Sequence, residues 1–392
     1  MPGRLIKTQS AFDTLCDHIA DTGLVAFDTE FVSESYYRPR LCLLQFATTE
    51  KQAIVDPFEI ECLDRWWQLF ADDETTVVAH GAREEVRFCL HFAQAPPRKL
   101  VDVQVAEGLL SRGFPLSYKA LVQRVINERV DSHETRTDWG KRPLAKRQID
   151  YALEDVEHLL RIWEEQQKAL TKLGRLQWAW DEFERRNGVY AAEDEGERWR
   201  KVSGVHRLSR REMAIVRELF DWRDEQAQQR DKPPRTILRD DLITDLARRK
   251  PRSLPDVTTT RGMRSGHRRD AEDLFACVQR AMALPDDECP KKSSNHRAEP
   301  QEDVLAKLLG IALADRCSEF GLSQSIVGSM SDLQDLVRWH AFKGRTGSPP
   351  LLLQGWRAEV CGNVLTDLLD GRVSIRVADY QQEAPLCFEP VE

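Results

Sequence analysis

Leu24-Val25-Ala26-Phe27-Asp28-Thr29-Glu30-Phe31 is the stretch that decides the fold. An apolar run leads into two carboxylates, so the segment reads as a buried strand with a polar end. Side chains alternate across a strand, which puts Asp28 and Glu30 on one face. Two further strands, Leu41–Ala47 and Gln52–Asp56, follow so closely that hairpin connections, and hence antiparallel pairing, are expected. Upstream, Ser10 reads as the N-cap of a helix through Ile19. Downstream, helix and strand alternate: a helix over 61–70, a strand Thr76–His80, a helix Glu84–Phe92, a short strand Lys99–Val101 and a helix Asp102–Leu110. A three-strand meander joined to crossover units predicts an α/β layer with a mixed sheet.

Farther along, helices are expected over 116–126, 147–170 and 175–187, followed by a polar linker from Gly188 to Gly204. The next module reads as all-helical: Ser209 caps Arg211–Gln229, Pro233-Pro234 break the chain, and Arg239–Arg249 and Asp270–Ala283 follow. Residues 285–301 form a second linker, and helices follow near 302–320, 331–342 and 355–370. These readings divide the chain into domains at 1–190, 205–285 and 300–378, with a mobile tail over 379–392.

The chain of 392 residues is 41% hydrophobic, enough for two or three cores. No run of eighteen apolar residues occurs and the first residues lack the apolar centre of a signal peptide, so a cytoplasmic protein with no membrane association is expected. Nine scattered cysteines, never in a C-x-x-C pair, argue against a disulfide framework and against zinc. The net charge of −8 hides an asymmetry: residues 197–270 hold 20 Lys and Arg against 12 Asp and Glu, a local +8 that leaves −16 for the remainder. A basic module on an acidic body suits a partner with phosphates and a body with clustered metal-binding carboxylates.

Arg147–Leu160 supplies the acidic partner that the strand carboxylates need. Ile149, Ala152, Leu153, Val156, Leu159 and Leu160 recur at helical spacing, and Tyr151 and Asp155 stand four positions apart on one face. Two carboxylates on one strand face repel unless a cation joins them. With Asp155 and one further acid, they form the oxygen set that Mg²⁺ or Mn²⁺ favours. Two such ions can activate a water, hold a phosphodiester and stabilise a departing oxygen, with Tyr151 placed to orient or help deprotonate the water.

The order Phe27-Asp28-Thr29-Glu30-Phe31, His80-Gly81-Ala82-Arg83-Glu84-Glu85, Arg136-Thr137-Asp138-Trp139 with Arg142-Pro143-Leu144, and Tyr151-x-x-x-Asp155 resembles the ribonuclease D family. That family belongs to the DEDD exonucleases with a tyrosine in the third motif. The resemblance covers roughly residues 5–190; Leu208–Pro285 is similar to the family's HRDC module, and residues 302–375, with Leu351-x-x-x-Gly355-Trp356-Arg357, resemble its second, divergent helical module. It implies a ribonuclease-H-like exonuclease domain followed by two all-α HRDC-type modules that cup the substrate. It also implies that Asp28 and Glu30 bind the catalytic metal, that Asp28 bridges to a second ion, that Asp155 completes the first shell and that Tyr151 positions the attacking water. The family's remaining acid falls on Glu85, where aspartate is usual, and Glu84 is an outside candidate. A glutamate adds a methylene, and misplacement by about one ångström is costly in such sites. Ser132 stands where many relatives carry lysine.

Tyr36 and Tyr37 read either as platforms stacking on terminal nucleotides or as loop anchors. Gln45 is a candidate for lining the same groove, and Arg264, Arg268 and Arg269, in a basic loop, for contacting phosphates without reading bases. The resemblance implies a 3′–5′ exoribonuclease that releases nucleoside 5′-monophosphates from single-stranded 3′ ends, with tRNA precursors or other structured small RNAs as substrates; a monomer is expected. Two rivals remain: a DNA exonuclease of the same superfamily, and a non-catalytic RNA-binding adaptor in which Glu85 marks a decayed site.

Overall fold

A computed structural model describes residues 5–130, 137–193, 196–263, 269–291 and 300–391. The nuclease part is built on a six-stranded sheet of order β1-β4-β3-β2-β5-β6, with β1 Leu5–Ile6, β2 Leu24–Val32, β3 Arg40–Ala47, β4 Gln52–Val55, β5 Thr76–Ala79 and β6 Leu100–Asp102. β2, β3 and β4 form the expected antiparallel meander, and β5 and β6 add parallel to β2, so the sheet is mixed. The short β1, unforeseen in the sequence, pairs parallel with β4. Helix α1 (Gln9–Thr22) is capped by Thr8, whose hydroxyl accepts from Ala11 N, two residues ahead of the expected Ser10.

Each sheet face has its own apolar cover. Val25, Phe27, Phe46 and Val77 meet α1, α2 (Asp64–Ala71) and α3 (Arg83–Phe92) in a core of tilted and edge-on aromatic rings around Trp66 and Trp67. Ala26, Ala47, Val78 and Val101 point the other way, towards Val156, Leu159 and Ile162. Period-two alternation therefore sends Asp28 and Glu30, in step with Ala26, to this second face.

The helix expected over 147–170 is two helices, α6 (Lys146–Glu157) and α7 (Leu159–Lys172), broken at His158. After α8 (Leu176–Glu193) the chain enters the basic helical module, which has a separate core including Trp199, Leu219, Leu242 and Leu274. Its first long helix, α9 (Arg210–Gln229), starts at Ser209 with a reciprocal Ser209–Glu212 capping box. The C-terminal helices do not form a core of their own: Leu309, Leu313, Leu336 and Val360 join Val101, Val105 and Phe183 of the nuclease in one continuous cluster. The Trp356-Arg357 pair makes this join. Trp356 stacks on Trp178 at 5.5 Å, and Arg357 donates to the fully buried Glu182 at 2.7 Å and to Val327 O at 2.8 Å.

Residues 379–392 were expected as a mobile tail, yet they contribute a strand: β8 (Leu386–Pro390) pairs antiparallel with β7 (Val373–Val377). Alternating apolar residues of both strands reach the main core through Ile375 and Phe388, and Leu386 N donates to Asp315. All nine cysteines are free. Among the described residues, no helix is long and apolar enough to cross a membrane.

Candidate active site

Strand pairing creates the site. β2 pairs with β5 only from Leu24 to Ala26, so the segment carrying Asp28 and Glu30 has a free edge on that side. α3, which begins just after β5, places Glu85 at this edge. On the opposite edge, Asp28 is paired with Gln45 and Glu30 with Leu43, after which the register slips so that Phe31 meets Leu41 and Cys42 is the extra residue. Such a bulge bends a strand and re-aims side chains, here beside Glu30. α6 lies across β2, β3 and β4 and presents Tyr151 and Asp155 to the same point.

The four carboxylates act on one another. Asp28 is held well above the usual carboxylate range by burial and then by repulsion from Glu85, Asp155 and Glu30. Burial, with Asp155 and Glu85 nearby, pushes Glu30 up to about 8. Glu85 rises to about 7 chiefly through burial, opposed by a hydrogen bond from Thr29. Asp155 rises to about 7, again chiefly through burial and opposed by a hydrogen bond from the Tyr151 phenol. Tyr151 itself is raised by burial and by Asp155 and Glu30, which keeps it a phenol at neutral pH. Its ring is steadied by Trp139, 6.0 Å away and only 4% exposed.

Among the described residues, no three acidic, cysteine or histidine side chains already converge as a closed cation site. An all-oxygen cluster that is this strained by its own charge fits a hard divalent cation. Its charge also sets a pH dependence. Between about pH 4.5, the ordinary carboxyl range, and about pH 8, the metal-free folded chain binds more protons than the unfolded chain. Stability therefore falls as pH rises through that window. Melting in chelator is expected at a lower temperature near pH 8.5 than near pH 6, with Mg²⁺ restoring most at the higher pH. A metal-induced shift that does not grow with pH would count against four interacting carboxylates.

Glu85, the departure from aspartate, is accommodated. It is 5% exposed, and Thr29 Oγ1 donates to its Oε1 at 2.7 Å, fixing the longer arm. Glu84 pairs with Arg87 at 2.6 Å and faces the adjoining cleft, which removes it as the alternative acid. Thr29→Val keeps shape but leaves a buried carboxylate short of a donor. The expected cost is about 1–3 kcal/mol of stability and a roughly tenfold to hundredfold loss of activity. The acid limb of the pH–rate profile should also move to higher pH, because the lost bond was lowering the Glu85 value. Thr29→Ser should restore all three, as followed by melting and pH–rate curves.

Other residues singled out in the sequence fall in varied places. Tyr36 accepts from Arg40 at 3.1 Å. Tyr37 is engaged by the basic module: its hydroxyl donates to Asp224 at 2.9 Å and its N–H to Asp231 at 3.1 Å, the geometry of a loop anchor. Gln45 is fully buried, its amide without a partner among the described residues, so it lines no open groove. Arg269 is exposed on the basic module, while Arg264 and Arg268, like Ser132 and Arg136, lie outside the described residues.

Three contributors had no role assigned to them from the sequence, although Arg142 stands in one of the motifs quoted for the resemblance. Asp102 caps α4 (Val103–Gly108) and also accepts from Gly81 N and Ala82 N at 3.0 and 3.2 Å, pinning the turn that starts α3 and so the position of Glu85. Arg142 grips the fully buried Asp56 with two bonds of 2.6 and 2.7 Å and donates to Cys42 O, the bulge carbonyl, at 2.7 Å. Tyr118, at the start of α5 (Tyr118–Ile126), reaches the backbone beside Asp155. The sequence signal for Asp102 was its capping position; the other two depend on contacts far apart in the chain.

Comparison with known proteins gives the family. Residues 4–171 match a family profile described as a 3′-5′ exonuclease, and residues 212–278 match the HRDC domain. The chain is 32% identical to ribonuclease D of Acidiphilium cryptum over 378 residues, covering 95% of this chain and 94% of that protein. It is 29% identical to ribonuclease D of Escherichia coli over 370 residues, covering 93% and 98%. The crystal structure of Escherichia coli RNase D, described as an exoribonuclease involved in structured RNA processing, superposes with a TM-score of 0.85 at 27% identity, covering 95% of this chain and 99% of that one. The chain belongs to the ribonuclease D family of 3′–5′ exoribonucleases.

Proposed function

We propose that this chain shortens RNA from single-stranded 3′ ends by hydrolysis, releasing nucleoside 5′-monophosphates, with Asp28, Glu30, Glu85 and Asp155 holding two Mg²⁺ or Mn²⁺ ions. The observation that carries the reading is the cluster of four buried, mutually repelling carboxylates beside a phenol kept protonated. Divalent ions bound there supply charge neutralisation for the phosphodiester and acidify a water. Tyr151 holds its proton and, anchored on Asp155, orients the attacking oxygen. Thr29 and Asp102 keep Glu85 in place at the open edge of β2.

Structured small RNAs such as tRNA precursors are the substrates we favour, because the superposable Escherichia coli enzyme is described as acting in structured RNA processing. A cleft of about 260 Å³ between the nuclease and the basic module, lined by Tyr37, Arg38, Phe88, His91 and Arg198, offers aromatic and cationic groups to a single strand. One chain supplies the nuclease and both helical parts, docked through Tyr37 and Arg357, which supports action as a monomer.

The test follows 5′-labelled RNA, a stem with a single-stranded 3′ tail, beside a matched DNA, in Mg²⁺, Mn²⁺ and chelator. A metal-dependent ladder growing from the 3′ end of the RNA is expected. Intact RNA in every lane, with binding retained, would sink the catalytic reading, and faster loss of the DNA would redirect the substrate.

A further inference from the structure

The break between α6 and α7 has a specific cause. In an uninterrupted helix the N–H of His158 would donate to the carbonyl of Glu154. Here it donates to the Tyr118 hydroxyl at 3.3 Å, and that hydroxyl donates to Glu154 O at 2.8 Å. A phenol from forty residues upstream has thus been inserted into one rung of the ladder, one of the few events that break a helix sharply. His158 leaves the helical run at φ −102° and ψ −8°, and α7 restarts at Leu159 with Ile162 N donating to His158 O at 2.9 Å.

The wedge sits at the residue next to Asp155. The carbonyl it captures belongs to Glu154, and the charges of Asp155 and Asp28 are both felt at the phenol. Tyr118 is itself fixed. Ser117 caps α5, His80 Nε2 and Gln104 Nε2 both donate to Leu116 O at 2.9 and 2.8 Å, and the His80 ring stands edge-on to the phenol at 5.9 Å. Because α6 packs on β2, β3 and β4 while α7 packs chiefly on α5, α4 and β5 and only its margin meets β2, the break lets one chain segment follow two parts of the sheet.

We propose that Tyr118 is a positioning residue for Asp155: by occupying the rung between Glu154 and His158 it ends α6 within a turn of Asp155 and sets the direction from which that carboxylate meets the metal. The proposal rests on Asp155 being a metal ligand. It separates function from stability, because the two backbone groups that the hydroxyl bridges would satisfy each other if it were removed. A purely structural tyrosine would behave in the opposite way, losing stability without changing metal affinity in the folded protein.

The experiment compares Tyr118→Phe with the parent full-length chain, and with Asp155→Asn as reference. Melting in chelator, Mn²⁺ affinity by calorimetry without RNA, kcat and KM on tailed RNA, and hydrogen exchange at the His158 amide are measured. Tyr118→Phe is expected to melt at or above the parent temperature and to bind Mn²⁺ about tenfold to a hundredfold more weakly. Its kcat should fall with KM for RNA unchanged, and its His158 amide should exchange at an altered rate as the rung closes. Mn²⁺ affinity and kcat within twofold of the parent, alongside an Asp155→Asn variant that has lost Mn²⁺ binding, would overturn the role of Tyr118 alone. If Asp155→Asn still binds Mn²⁺ like the parent, the metal-site reading itself fails. A Tyr118→Phe variant that melts far lower with unchanged Mn²⁺ affinity in its folded fraction would mark the tyrosine as structural only.

Discussion

Asp28→Asn is expected to lower the single-turnover rate on 3′-tailed RNA by at least about 10³-fold while leaving RNA binding in place. Asp28 is the carboxylate on which Glu85, Asp155 and Glu30 all bear, which places it at the centre of the cluster. Asparagine preserves its shape and removes one charge of the set that holds the cations. Losing several kcal/mol of transition-state charge stabilisation corresponds to that factor. The same change has an opposite effect on the metal-free fold. Removing one of four repelling charges should raise the melting temperature in chelator, most clearly above about pH 8, where Glu30, Glu85 and Asp155 are ionised. The stabilisation by Mg²⁺ should shrink correspondingly. Reduced activity with unchanged stability in chelator would leave catalysis at Asp28 but argue against the mutual repulsion, and a rate within tenfold of the parent would remove Asp28 from the chemistry.

How much of this was legible depends on the range of the interaction that writes it. The pairing of Asp28 with Glu30 follows from strand alternation, and that of Tyr151 with Asp155 from helical spacing. Each needs only a few consecutive residues, and the mixed sheet followed from connection lengths in the same way. Glu85 was reached through the resemblance, yet Thr29, the side chain that donates to its carboxylate, lies on the same strand as Asp28 and gave no signal of its own. The break at His158 could not be read locally, because the sequence 147–170 has an unbroken helical stripe and the interruption comes from Tyr118. Tyr37 was open between two readings because its partners, Asp224 and Asp231, lie in the other module. Gln45 was a candidate for lining the groove beside the ordinary reading of a polar strand residue; it is fully buried on a strand that α6 packs against. The fusion of the C-terminal helices with the nuclease core was hidden for a related reason. Apolar periodicity says that a helix has a buried face and not which neighbour buries it.

Arg142→Ala is expected to be the most destabilising single change considered, costing about 3–5 kcal/mol, because it strands a buried charge. Asp56 is fully buried, and both of its oxygens accept from the guanidinium, with Phe58 N as the one further donor among the described residues. The same guanidinium closes on Cys42 O at the bulge and on Trp139 O in the loop that packs against Tyr151, so its loss should loosen the surroundings of Glu30 and Tyr151 together. Lysine should not rescue the variant: one ammonium cannot hold a carboxylate in a two-bond fork and reach two carbonyls as well. Arg142→Met combined with Asp56→Asn separates the two contributions. With the buried charge removed along with its partner, most of the stability should return, since deleting both members of a buried pair is often close to neutral. Activity should not return with it, because the bulge carbonyl and the Trp139 loop would still lack their donor. Thermal melting of the three variants, with kcat measured at a temperature where all remain folded, checks both halves. A loss below about 1 kcal/mol for Arg142→Ala, the range of exposed ion pairs, would show that Asp56 finds water or another donor. Recovery of full activity in the double variant would show that the bulge keeps Glu30 in place without the arginine.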